Sequence, residues 1–453
     1  MGEGSSCNGI YNHNHRGELG GSNSKSKMVA SIPVTIILFL VAYMDRVNIG
    51  FAIAGGMNKE LGLTATGSGL AAGVFYWGYL LLQVPAGHFA EHRSAKRFIA
   101  WTILGWGGIS LLSGFVQSAW QLYALRFLLG VAEGGVGTSI LVLISKWFPQ
   151  KEQGRAYAAF HISLPLAAAL TNPISGWVVE RWGWRGLFYF EGIASLGLIF
   201  VWWPLMSDTP EDAKWLSKAE KEDLLKTIAE DRANADAKLK AQGRTKWSYG
   251  ELLRNRSLWI LVLVYLCYNS GSLGYLIWLP TLLKNLTKMS LTRVGWLSAL
   301  PLVAGVAGVY GLGVLSDRKG NRRLWAANAL WGFSLAYWMS TLFPVKIWIA
   351  YGLIVVAGFF AKSIQGPFWP MPSLVFPPGV SGGARGIING VANLGGFVGP
   401  VLLGWFTTRT GSMNSGIFGL AMILIIGGAI SMLMPKVCAG YKYQEEAKAA
   451  GKA

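Results

Sequence analysis

The chain has 453 residues, 52% of them apolar and only 14% charged, with 59 Gly and 21 Trp. So few charges beside so much Gly and Trp exclude an ordinary soluble domain and fit membrane-spanning helices with aromatic belts at the lipid–water interface. The net charge of +18 does not signal nucleic acid, because Lys and Arg fall between long apolar runs and in the tails rather than in one stripe interleaved with aromatics.

Residues 1–27 are polar and rich in Gly, Ser and Asn, and lack the apolar core of a cleavable signal peptide. His13 and His15 in this tail have no further partners for a metal. From Met28 onward, windows of about 20 apolar residues, the length that crosses a bilayer core, give twelve candidate spans. These are 29–54, 68–89, 98–117, 120–147, 156–179, 185–206, 258–282, 293–315, 322–343, 346–370, 384–408 and 413–435. The joints are short and polar, as helices crossing back and forth require, since helices leave no backbone group unpaired in lipid.

One joint is long. Residues 207–257 carry eleven Lys/Arg and two capping boxes, Ser217 to Glu220 and Ser248 to Glu251, which mark helix starts. The expected organisation is an N-terminal tail over 1–27, a six-helix bundle over 28–206, a linker with a helix over 207–257, a second bundle over 258–435 and a tail over 436–453. Lys/Arg placement puts both tails and the linker in the cytoplasm, with the chain multi-pass in the plasma membrane (the inner membrane in a bacterium). The three cysteines, Cys7, Cys267 and Cys438, form no CxxC and make no disulfide framework.

The two bundles resemble each other in sequence. Gly87, Glu91, His92, Ser94, Lys96 and Arg97 after span 2 align with Gly313, Asp317, Arg318, Gly320, Arg322 and Arg323 after span 8, at a constant offset of 226. Pro173, Gly176 and Trp177 of span 5 match Pro400, Gly404 and Trp405 of span 11 more loosely. Such duplication marks transporters built from related bundles. The fold class expected is therefore an all-α membrane protein, with twelve transmembrane helices in two pseudo-symmetric six-helix bundles.

Ionisable residues inside spans are costly, about 2.5–3.5 kcal/mol each at a helix centre. Asp45 and Arg46 in span 1 with Arg126 and Glu133 in span 4 would together cost on the order of 10–14 kcal/mol facing lipid, so they must face one another or a wet cavity. Two readings are open: an ion-pair set that holds the helices together, or a site that binds an anion through a guanidinium fork and exchanges protons at a carboxylate. Tyr79 on span 2, with Asn389 and Asn393 on span 11, can bond a solute or pack between helices. Lys362, Gln365 and Trp369 share one stripe of span 10, and Lys362 either contacts a ligand or snorkels to the interface. His161 on span 5 reads as a helix contact rather than a proton relay. Gly379-Val-Ser381-Gly-Gly383 fits GxSxG formally, but no strand precedes it, and no metal cluster or phosphate loop stands at working spacing. No enzymatic activity, metal or cofactor is expected.

The Gly87–Arg97 and Gly313–Arg323 loops resemble the inner-loop motif of the major facilitator superfamily. Further motifs are Tyr43-Met-Asp-Arg46-Val-Asn-Ile-Gly50, Arg126 to Glu133, Lys146-Trp-Phe-Pro149, Gly183 to Glu191-Gly, Asp208 to Ser217, Gly366-Pro-Phe-Trp369 and Asn393 to Pro400. Together they resemble the anion:cation symporter family, in the branch that imports tartrate-like, phthalate-like, hydroxyphenylacetate-like and sugar-acid anions with protons. The resemblance implies proton carriers at Asp45 and Glu133, and substrate contacts at Arg46, Arg126, Tyr79 and Asn393. Tyr43, Trp369 and Lys362 are further substrate-site candidates, although Lys362 lies outside the family pattern. Gly87, Glu91, Gly313, Asp317, Arg318 and Gly320 fall on the gating loops.

Departures bear on the solute. Glu133 is followed by Gly-Gly-Val-Gly-Thr where the family often has Ala-Gly-Phe-Phe-Pro, and Leu164 stands where sugar-acid members often place Gln. The second arginine of phosphate exchangers is missing, since Ser272 takes its place, and no drug-antiporter Gly-Pro motif forms around Pro173. The expected activity is proton-coupled uptake of a small organic carboxylate by alternating access, with the substrate carboxylate and Glu133 competing for Arg126. Exchange or facilitated uniport in the same fold is the alternative, and a transport-like membrane sensor a remote one. The proton is the coupling ion, the bilayer and the anion are the partners, no nucleic acid is involved, and the chain is expected to act as a monomer.

Overall fold

The computed structural model describes residues 23–213, 216–241, 249–376 and 378–435. Among them there is no strand. Among the described residues, nine stretches are long and apolar enough to cross a membrane: Val34–Ala54, Ala65–His92, Ala119–Trp147, Ala169–Leu205, Arg256–Thr287, Leu291–Lys319, Ile347–Val375, Val380–Thr410 and Met413–Ser431. Helices Ala95–Ser113 and Arg322–Met339 supply spans 3 and 9. The helix Gln150–Leu205 holds spans 5 and 6 and turns between them at Gly183, whose φ of 70° and ψ of 178° suit a residue without Cβ. Twelve membrane helices in two six-helix bundles result. His161 and Leu164 lie in a helical stretch whose side chains are outside the described residues, as are the two tails beyond 23 and 435.

The helices end where the sequence lets them. Thr64 and Ser94 cap the starts of spans 2 and 3 by accepting from the N–H groups of Gly67 and Arg97, at 3.1 and 3.0 Å. Span 4 breaks at Gly134-Gly135 and span 11 at Asn393-Leu394. Spans 2 and 4 approach closely because Gly130 has no side chain; a methyl group there would overlap the Phe75 carbonyl. Outward faces carry large apolar side chains such as Trp101, Phe200 and Tyr310, at 73%, 81% and 77% exposure, which is the surface lipid requires.

The duplication is visible in the packing of one half on the other. Thr66 of span 2 bonds Thr408 of span 11, N to Oγ1 at 3.0 Å, while Thr292 of span 8, at the 226 offset from Thr66, bonds Glu180 of span 5, N to Oε2 at 3.0 Å. Gly404 packs on the Ala65 carbonyl and, in the same relation, Gly176 packs on the Leu291 carbonyl. Gly69 against Pro400 and Gly295 against Asn172 repeat it once more. All these contacts, with the bond from Lys284 Nζ to the Ala54 carbonyl at 2.7 Å, lie at the end of the bundle opposite the linker.

The linker end is organised by the sequence motifs. Asp208 accepts from Ser94 Oγ at 2.5 Å and from the Lys96 N–H at 2.8 Å, so it latches onto the start of span 3. Lys146 caps the end of span 2 through the carbonyls of Ala90 and Glu91, at 2.9 and 3.1 Å, a favourable place for a cation. Trp147 donates to the Ser207 carbonyl at 2.9 Å. Helix Lys218–Ala241 begins directly after Ser217, and helix Tyr249–Arg254 begins after Ser248, which lies outside the described residues.

Candidate functional site

Asp45 and Arg46 are neighbours on span 1, so their side chains leave the helix about 100° apart and meet different partners. Asp45 points to spans 3 and 6. Its two oxygens accept from Ser110 Oγ at 2.8 Å and Ser195 Oγ at 3.2 Å, and its carboxyl group faces that of Glu191. Glu191 Oε1 accepts from Asn48 Nδ2, whose Oδ1 accepts from Ser175 Oγ at 2.6 Å. Asp45 and Glu191 are fully buried, and Glu191 Oε2 has no donor.

Arg46 points to spans 2 and 4. Its guanidinium lies over the Tyr79 ring, 4.5 Å from the centroid, with Phe75 at 5.3 Å, and its Nη2 stands 3.3 Å from Glu133 Oε2. Phe75 and Tyr79 stack at 5.7 Å. Arg126 lies against Phe75, also at 5.3 Å, and donates to the Ala71 carbonyl at 3.3 Å and to the Asp45 carbonyl at 3.1 Å. Arg46 Nε, Arg126 Nη2 and Glu133 Oε1 are buried without a partner. Such a group costs about 1–3 kcal/mol unless something bonds it.

Glu133 therefore pairs with Arg46, not with Arg126 as expected from sequence. The reason is distance along the helix. Seven residues separate Arg126 from Glu133, which is about 10 Å of rise, so each meets a different residue of span 1. Arg46 is also the more accessible cation, its side chain 16% exposed while Arg126 is fully buried.

The remaining candidates divide between the halves. Tyr43 is buried one turn before Arg46. On the second half, Lys362 is half-buried with its ammonium beside the Tyr268 hydroxyl, it lines a small cavity with Leu276 and Leu302, which pack on Tyr43, and Gln365 Nε2 donates to Tyr268 Oη at 3.2 Å. Trp369 packs edge-on to Tyr265 at 5.0 Å, and Tyr265 stacks on Phe368 at 4.9 Å. Asn393 is half-buried at the break in span 11. Of the expected gating-loop residues, Gly87 and Glu91 lie in the last turns of span 2, and Gly313, in the last turns of span 8, faces Gly366 across a close backbone approach. Asp317 holds Arg322 at 2.6 Å beside an exposed Arg318, and Gly320 turns the chain with a φ of 62°.

Sequence reasoning missed Glu191 and its partners. Glu191 lies inside the 185–206 window, so an inventory of ionisable residues extended to span 6 would have found it. Asn48, Ser110 and Ser195 carry no signal of that kind, because polar side chains of this size are common between helices.

The Major Facilitator Superfamily profile matches residues 35–400 and 283–448. A "Putative tartrate transporter" of Agrobacterium vitis is 34% identical over 415 residues, covering 89% of this chain and 93% of the relative. A "Quinolone resistance transporter" of Acinetobacter baumannii is 30% identical, covering 87% and 91%. A "Probable galactarate/D-glucarate transporter" of Escherichia coli is 29% identical, covering 90% and 95%. Among solved structures, a bacterial homologue of the human lysosomal transporter Spinster superposes with a TM-score of 0.74 at 13% identity, covering 91% of this chain and 97% of its own. A D-xylose–proton symporter gives 0.67 at 15% identity, covering 91% and 99%. The profile match spans the twelve-helix architecture, and the chain belongs to the Major Facilitator Superfamily of membrane transporters, which move solutes and perform no enzymatic reaction.

Proposed function

We propose that the protein is a secondary transporter that takes up a small organic carboxylate together with protons. The observation that carries this reading is the pair of intramembrane guanidiniums, Arg46 and Arg126, each with an unpartnered N–H, beside a carboxylate that already occupies one of them. A guanidinium fork matches a carboxylate in shape and charge. Relatives at 34% and 29% identity bear the names of tartrate and galactarate/D-glucarate transporters, which supports an organic anion as the solute.

Coupling follows from competition. Glu133 holds Arg46 when ionised; when protonated it releases the cation for the substrate. Proton and anion then help each other bind, a reciprocal coupling of typically about 1–3 kcal/mol. Asp45 and Glu191 form a second acidic site, where one proton shared between two facing acceptors would bond them.

With the Lys/Arg-rich linker and both tails on the cytoplasmic side, the paired contacts of Thr66 with Thr408 and of Thr292 with Glu180 fall at the outer end of the bundle, and the chain works as a monomer in the plasma membrane. The halves alternate between inward-facing and outward-facing states around the midplane site. Uptake into proteoliposomes tests the reading: an inward proton gradient should accelerate uptake of the transported carboxylate, and sodium should not. Equal rates with and without the gradient at clamped voltage would favour exchange or uniport.

A further inference from the structure

The second half is almost without acid. Between residues 258 and 435 the sequence has one Asp or Glu, Asp317, and that residue sits exposed near the end of helix Leu291–Lys319, where it holds Arg322. Yet Lys362 stands inside span 10, half-buried, with no ion-pair partner among the described residues. Its neighbours are neutral: the Tyr268 hydroxyl bonds the ammonium, Tyr275, Leu276 and Leu302 line a small cavity with it, and Gly305 of span 8 leaves room for its aliphatic stem, which a larger residue would displace. The first half is built differently, with three buried carboxylates, Asp45, Glu133 and Glu191, placed around two guanidiniums.

An intramembrane cation is costly and normally pairs or faces a wet path. Snorkelling would release Lys362 from that cost by carrying its ammonium toward an interface, but Lys362 instead lines a small cavity with Leu276 and Leu302, the two residues that pack on Tyr43, a buried residue of the opposite half. Tyr43 and Arg46 are three residues apart on span 1, hence on one face of that helix. Arg46 and Lys362 therefore flank the same face of span 1, one cation from each half.

We propose that Lys362 is the second anion contact of the transport site, and that the substrate is a dianion with one carboxylate on Arg46 and the other reaching Lys362. The proposal rests on the carboxylate reading above and narrows it to dicarboxylates. A ligand held at both ends by different halves binds best when the halves close on it, which is the differential affinity that alternating access needs. Tyr268, fixed by Gln365, orients the ammonium, and the Tyr265–Phe368–Trp369 aromatic cluster lies beside it on the same half.

Matched acids test this. Purified protein is screened by thermal stabilisation against D-glucarate with D-gluconate, tartrate with glycerate, and phthalate with benzoate, each pair differing in one carboxylate. At least one dianion should stabilise the wild type more than its monoanion partner. Lys362→Gln should remove that difference, with a loss of roughly tenfold or more in affinity for the dianion and little change for the monoanion, and Lys362→Arg should restore part of it. The melting temperature without ligand should not fall in Lys362→Gln, because an uncompensated charge has been removed; a fall in melting temperature together with equal losses for both acids assigns Lys362 to folding and overturns the proposal. A monoanion that binds as tightly as its dianion partner overturns the dianion assignment and leaves the carboxylate reading standing. No stabilisation by any of the six acids overturns both.

Discussion

Arg46 Nη2 stands 3.3 Å from Glu133 Oε2, while Arg126, on the same helix as Glu133, bonds only the carbonyls of Ala71 and Asp45. The two arginines thus have different duties. Arg46 is partly exposed and, on the proposed mechanism, exchanges partners; Arg126 is enclosed and ties span 4 to spans 1 and 2. Arg46→Lys should keep the protein folded and weaken substrate binding about tenfold or more, because one ammonium cannot reproduce the fork. Arg126→Lys should weaken binding and lower the melting temperature too, since lysine cannot reach both carbonyls. Ligand affinity and melting temperature measured on the same preparations check the contrast, and an Arg46→Lys protein with unchanged affinity would remove Arg46 from the site.

The span windows were legible because length and apolarity decide which segments cross a bilayer. Helices 65–92 and 256–287 extend the expected 68–89 and 258–282 by only a few residues at each end. The repeat was legible too, and it reappears as the paired contacts of Thr66 with Thr408 and Thr292 with Glu180. The pairing within the site was not. Whether Glu133 meets Arg46 or Arg126 depends on the relative height of two helices, which no single-helix periodicity encodes. Lys362 could be singled out as a misplaced charge, but the cavity it shares with Leu276 and Leu302 under Tyr43 depends on how the halves pack.

The two copies of the loop motif are anchored differently. Asp208 serves the start of span 3 with two short hydrogen bonds, whereas Asp317 makes a surface pair with Arg322. Surface pairs contribute about 0–1 kcal/mol, and a carboxylate at a helix start contributes about 1 kcal/mol or more when partly buried. Asp208→Ala should therefore lower the melting temperature more than Asp317→Ala. Equal shifts would argue against the latch.

Outside the membrane spans, Glu60 accepts from Trp184 Nε1 and Arg185 Nη2, both at 2.7 Å, and these partners, Arg185 first, hold its carboxyl below the usual glutamate range. A depressed folded-state value gives stability that is complete above the unfolded value and is lost as pH falls through the folded one. The difference in melting temperature between wild type and Glu60→Gln should be largest near neutral pH and vanish in acid. The side chain is half exposed, so the difference should be small and shrink further in salt.

Glu191→Gln tests the acidic pair. Glutamine can donate its amide N–H to Asp45, so the contact survives without a shared proton. Folding should be retained, and the number of protons carried per substrate, measured from reversal potentials in proteoliposomes, should fall by one. An unchanged ratio removes the pair from the coupling path and leaves it a packing element of spans 1 and 6.

The decisive variant is Glu133→Gln, which imitates the protonated side chain with similar shape and no charge. If Glu133 and substrate compete for Arg46, the cation becomes permanently available. Substrate should then bind at least as tightly as before, and its binding should depend less on pH. Uphill accumulation should collapse, because no proton leaves on the inner side to help expel the anion, while exchange of substrate for substrate survives. A purely structural ion pair predicts the opposite. Removing one partner would leave Arg46 unpaired beside Tyr79, a destabilisation of about 3–5 kcal/mol for a buried pair, and melting temperature, binding and exchange would all decline together. The accessible edge of Arg46 and its aromatic neighbours argue for the milder outcome. A Glu133→Gln protein that folds, binds and exchanges but cannot concentrate its substrate supports coupling at this residue. One that still concentrates substrate on a pH gradient would move the role to Asp45 and Glu191.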